Sequence, residues 1–153
     1  MAIRNIRTGE DEILRKRCKQ VDKIDIRIRE ILNDMAETMY QAGGAGLAGN
    51  QIGVLRRLVV MDVGEGLIKL VNPAIVSEEG SQEVVEGCLS FPDVWGKLTR
   101  PARVVVRALN ERGRPIVVQG EGLKAKCLCH EIDHLNGIVF TDKVTEYVDM
   151  DDK

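Results

Sequence analysis

The sequence predicts an α+β domain, with mostly antiparallel sheets packed around a helix that carries a His-Glu-x-x-His motif and a further helix towards the N-terminus. Three observations lead there. Apolar residues recur at helical spacing near both ends of the chain. Between residues 55 and 120 the pattern changes to short β-branched runs separated by turn residues. The connections between those runs are short, which favours antiparallel pairing. The 153 residues are one domain's worth, enough to bury a core without disulfide staples, so residues 1–153 are expected to form a single domain.

Taken in order, residues 11–20 suggest a short helix. The next is clearer: Asp25 is placed to cap it, Ile28, Ile31, Leu32, Met35, Ala36 and Met39 form one stripe, and Gly43-Gly44 stops it. "LRRLVVMDV", "LIKLVNPAIV", "QEVVEG", "ARVVVRAL" and "PIVVQGE" then read as strands, punctuated by Gly, Asn-Pro and Arg-Gly-Arg-Pro. From about Gly122 helical spacing returns through Leu128, Ile132 and Leu135 and ends at Asn136-Gly137. A last strand, "IVFTDKV", is expected before a short acidic tail.

Composition narrows the function classes. Both charge signs are mixed and the net charge is −2, so neither nucleic acid nor an anionic membrane is expected as the main partner. Aromatic residues make up only 3%, too few for base-stacking platforms. No apolar run is long enough to span a bilayer, and the charged N-terminus does not resemble a secretory signal. A cytoplasmic location is the expectation. In that reducing compartment Cys18, Cys88, Cys127 and Cys129 read as thiols or metal ligands before disulfides.

The chain has two histidines, His130 and His134, in "CLCHEIDHLNG". Residues four apart share a helix face, so two imidazoles can address one ion. Glu131 lies about 100° round from His130, where it can reach water on that ion without ligating it. A catalytic ion needs about three protein ligands and keeps one position for water. With no histidine left, the third is Cys, Asp or Glu. Cys127 is roughly 7 to 8 Å along the axis from the midpoint of the pair, too far for a metal–sulfur bond. Cys129 points away and Cys18 lies in a charged segment, so Cys88 in "VVEGCLSFP" is the better candidate. A zincin-type peptidase, the alternative that the five-residue motif raises, would need a ligand downstream of His134, where little chain remains. A structural metal module would leave Glu131 without a task.

"GAGLAGNQIG" (44–53), "EGCLSFP" (86–92) and "HEIDHLNG" (130–137) resemble, in order and spacing, the three signature motifs of the peptide deformylase family. The similarity runs from "DEILRK" to "GIVFTDKV" and so covers nearly the whole chain. The resemblance implies a metal-dependent hydrolase that removes the formyl group from the N-terminal formylmethionine of nascent polypeptides and releases formate. It implies Cys88, His130 and His134 as ligands of one divalent ion, Fe(II) by expectation, with Zn(II), Ni(II) or Co(II) able to replace it. Glu131 is implied as the base, with the Leu89 N–H and the Gln51 amide as oxyanion donors. Ala45, Gly46 and Gly87 are implied to pair with the substrate main chain, and Cys127 to line its methionine pocket, the alternative for Cys127 being simple core packing. A bacterial source and transient ribosome contact are further expectations. Two positions depart from the pattern: Gly49 replaces an alanine, which would loosen the loop presenting Gln51, and Cys129 replaces a glutamine. Glu86 and Arg100 are read as a charged pair supporting the site, the alternative being a surface salt bridge.

Overall fold

The computed structural model describes residues 2–149. Helix α1 spans Ile26–Gln41, and the Asp25 carboxylate accepts from the Ile28 N–H as the sequence predicts. Ala42 ends it, and Gly43 follows at φ +71°. Helix α2 spans Leu123–Leu135 and carries both histidines. Eight strands complete the fold: β1 (Gly46–Ala48), β2 (Leu58–Met61), β3 (Ile68–Glu79), β4 (Gln82–Cys88), β5 (Phe91–Arg100), β6 (Arg103–Leu109), β7 (Pro115–Glu121) and β8 (Glu146–Val148). They form a five-stranded sheet in the order β1-β2-β3-β6-β7 and a three-stranded sheet in the order β4-β5-β8. Every pairing is antiparallel.

Strand β2 shows how the layers are built. All four of its residues are buried. Leu58 and Val60 join the cluster that contains Ile28, Leu32, Met35 and Met39 of α1. Val59 and Met61 join the one that contains Ala125, Leu128, Ile132 and Leu135 of α2. Since strand side chains alternate, the sheet is covered by α1 on one face and by α2 on the other. Among the described residues, no helix is long and apolar enough to cross a membrane.

Four sequence expectations change. The helix expected over residues 11–20 is a single 3₁₀ turn, Glu12–Arg15, capped by Asp11. The expected strand "IVFTDKV" is not one: Val139 and Phe140 are buried, and Phe140–Asp142 forms a 3₁₀ turn. The strand falls later, as β8, in what reads as an acidic tail, and it forms by pairing Trp95, Gly96 and Lys97 of β5 with Val148, Tyr147 and Glu146. Strand β5, absent from the sequence reading, alternates inwards through Gly96, Leu98 and Arg100. A buried arginine among those positions hides the apolar period from any sequence count. Gly49, finally, does not loosen its loop. A Cβ there would stand 2.5 Å from the Arg56 carbonyl oxygen and 2.8 Å from that of Val54, so the glycine permits close packing of backbone.

Candidate metal centre and active site

The candidate site forms where α2 passes the ends of β1 and β4. Strand β1 is an edge of the larger sheet and β4 an edge of the smaller. A cavity of about 560 Å³ opens between them. Residues 42–46 form one wall, Glu86–Leu89 and Phe91–Trp95 the other, and α2 the floor through Leu123, Lys126, Cys127, His130 and Glu131.

One ligand atom each from Cys88, His130 and His134 lie within 4.8 Å of one another. The Cys88 Sγ stands 3.2 Å from His134 Nε2. The His130 Nδ1 is 2.7 Å from Glu86 Oε1, which leaves Nε2 to face the cluster. Tetrahedral bonds of about 2.0–2.3 Å place ligands roughly 3.5 Å apart, so this spread brackets a single ion.

The electrostatics also suit a cation. Burial works against charge on His130, but the charge of Glu131 and the hydrogen bonds to Cys88 and Glu86 outweigh it and push its pKa up to about 10. Burial and the His130 charge hold His134 well below the ordinary histidine value. An uncharged His134 imidazole and the carboxylates about His130 are the donor and charge surroundings that a divalent ion takes.

Glu131 sits beside this cluster without joining it. Its Oε2 is 4.0 Å from His130 Nε2, and its buried Oε1 has no hydrogen-bond partner. Burial raises its pKa to about 7, partly opposed by the charge of His130. Gly46 makes room for it: a Cβ at that position would stand 2.5 Å from Glu131 Oε2.

Gln51 is held at both ends. Its Oε1 accepts from the Ala48 N–H at 2.9 Å, and its Nε2 donates to Ser90 Oγ at 3.0 Å. The same nitrogen is 3.5 Å from Cys88 Sγ, which directs an N–H towards the cluster. Glu86 and Arg100 are not a surface salt bridge. Both side chains are 2% exposed, with paired contacts of 2.7 and 2.9 Å. Arg100 also binds Asp133 at 2.7 Å. Burial tends to raise the Glu86 pKa, but the bonds from Arg100 and His130 prevail and hold it at about 2.

Of the residues singled out in the sequence, Ala45, Gly46, Glu86, Gly87, Cys88, Leu89, Cys127, His130 and Glu131 line the cavity. His134 and Gln51, 0% and 1% exposed, stand behind its wall and reach it through Cys88. Cys127 donates to the Ala45 carbonyl at 3.7 Å, and burial pushes its thiol far above the ordinary range, so it is a neutral wall. Cys18 and Cys129 are buried in the core with raised pKa values of about 11. The sequence reading missed Ser90, which anchors Gln51, and Asn50, whose Nδ2 donates to the His134 carbonyl. Both lie inside the quoted motifs. It also missed Trp95, whose ring packs where a Cβ on Gly87 would fall.

Comparison with known proteins agrees with this geometry. The family model described as "Polypeptide deformylase" matches residues 3–149. The peptide deformylase of Acetivibrio thermocellus is 60% identical over 152 residues, covering 99% of this chain and 89% of that protein. Peptide deformylase 2 of Clostridium acetobutylicum is 59% identical over 149 residues, covering 97% and 99%. Among solved structures, the Ehrlichia chaffeensis peptide deformylase in complex with actinonin superposes with a TM-score of 0.93 at 37% identity, covering 95% of this chain and 90% of that one. The Legionella pneumophila enzyme gives 0.91 at 46%, covering 94% and 86%. The chain thus belongs to the peptide deformylase family, metal-dependent hydrolases that remove the formyl group from the N-terminus of nascent polypeptides.

Proposed function

We propose that Cys88, His130 and His134 hold one divalent ion, Fe(II) in the cell, and that Glu131 is the general base and acid of deformylation. The observation that carries this is the convergence of three ligand atoms beside a buried carboxylate oxygen that has no other partner. Zn(II), Ni(II) and Co(II) suit the same thiolate and imidazole donors. An ion held there supplies Lewis acidity, which makes water a competent nucleophile near neutral pH. Glu131 takes the proton of the attacking water and returns it to the amine as the C–N bond breaks and formate leaves. The Gln51 amide, fixed by Ala48 and Ser90, and the Leu89 N–H donate to the oxyanion. Donors that need no reorganisation are typically worth about 2.7–4 kcal/mol each.

The formylated peptide lies extended between the free edges of β1 and β4, with Ala45, Gly46 and Gly87 pairing with its main chain. Its methionine side chain enters the cavity along Cys127. The third ligand is upstream of the histidines, among the described residues, which favours this reading over the zincin alternative. The substrates are chains emerging from the ribosome in the bacterial cytoplasm, where contact with the ribosome is transient. The test is formate release from formyl-Met-Ala-Ser by protein purified anaerobically with iron, beside Glu131→Ala. Release by the unmodified protein alone supports the reading; equal release by both refutes the role of Glu131.

A further inference from the structure

The cleft floor carries a charge that deformylation does not use. Lys126 stands one helical turn before His130 on α2, about 6 Å along the axis. Among the described lysines and arginines, it alone lines the cavity. Its Nζ donates to the Val85 carbonyl at 3.1 Å, so the side chain crosses from α2 to β4 and closes the floor at the end away from the metal centre. An ammonium has three N–H groups. One is taken by Val85, and among the described residues the other two have no partner. Its methylene stem accompanies Leu123 and Cys127 along the same floor.

Resting on the reading above, we propose that Lys126 gives the far end of the methionine pocket a hydrogen-bond donor, and that the protein therefore also deformylates peptides beginning with formylmethionine sulfoxide. A methionine side chain laid along α2 from the reacting centre spans about one helical turn and ends at Lys126. The thioether and methyl of methionine pack on the lysine stem. The sulfoxide oxygen, placed by the same chain length, accepts one of the two spare N–H groups. A wholly apolar pocket would leave that oxygen buried and unpaired, at a cost large enough to exclude it. The sulfoxide is neither reduced nor oxidised: water adds to the formyl carbon, the C–N bond breaks and formate leaves, as with methionine.

The experiment compares kcat/KM for formate release from formyl-Met-Ala-Ser and its methionine sulfoxide counterpart, using the metal-loaded protein and Lys126→Met, Lys126→Leu and Lys126→Arg. The readout is the ratio of the two substrates within each preparation, so a general loss of activity cancels. The unmodified protein is expected to process the sulfoxide within about tenfold of the methionine peptide. Both apolar variants lower the ratio by about tenfold or more, the worth of a hydrogen bond to a charged donor, and Lys126→Arg restores most of it. A ratio that the apolar variants leave unmoved, with formate released from the methionine peptide, overturns this inference alone. No formate from either peptide overturns the underlying reading and this inference with it.

Discussion

At the scale of single residues, the site depends on spaces as much as on functional groups. Glu131 is buried with one oxygen unpartnered, so its removal takes away the proposed proton carrier without removing a proposed ligand. Glu131→Ala is expected to lower kcat about 10²- to 10⁴-fold. Metal content by atomic absorption is expected to stay at one ion per chain. Gly46→Ala is expected to be nearly as harmful, since its Cβ would displace Glu131 Oε2; the check is kcat alongside an unchanged circular dichroism spectrum. Gly49→Ala acts elsewhere. It drives a methyl into the carbonyl oxygens of Arg56 and Val54 and is expected to destabilise the fold by about 1–3 kcal/mol in urea unfolding. The alanine that the family resemblance implies at this position therefore costs stability here, because this loop is built around the glycine.

At the scale of elements, α2 is fixed at its C-terminal end and from one side. Asn50 holds the His134 carbonyl, while Arg57 donates to the Leu135 carbonyl at 3.2 Å and to Asn136 Oδ1 at 3.0 Å. From the side, Glu86 on β4 fixes the His130 ring, and Arg100 on β5 ties Glu86 to Asp133. The helix thus receives its orientation from a strand pair, β4–β5. Glu86→Gln is expected to weaken metal affinity about 10- to 100-fold, measured by chelator competition. The same substitution changes acid stability. The folded Glu86 holds its pKa at about 2, below the ordinary carboxylate range, so its contribution is present above that range and lost as pH falls towards about 2. Urea midpoints of the unmodified protein are expected to fall between pH 5 and pH 3 more steeply than those of Glu86→Gln. This strand pair was only half legible in the sequence. "QEVVEG" shows β4, but β5 spends an inward position on Arg100, and β8 forms because β5 offers it an edge. Val139 and Phe140 look like strand residues, yet they bury themselves from a 3₁₀ turn.

At the scale of the whole molecule, a sheet covered by a helix on each face brings two sheet edges to one cleft. Three segments distant in sequence meet there, and an ion bridging two of them couples binding to folding. Stripping the metal with a chelator is expected to lower Tm by roughly 10 °C in calorimetry, with recovery on readdition. The chain by itself determined the helix pair, the five strands marked by β-branched runs, and the three residues proposed as ligands. Those follow from local patterning and from the scarcity of histidine, which leaves few ways to complete a site. Only tertiary structure decided which polar residues are buried together. That Glu86 orients His130, that Ser90 and Ala48 fix Gln51, and that Lys126 closes the cleft floor on Val85 depends on side chains 3 to 44 positions apart becoming neighbours. Such contacts leave no period in a sequence, because charge and hydrogen bonding act through space rather than along the chain.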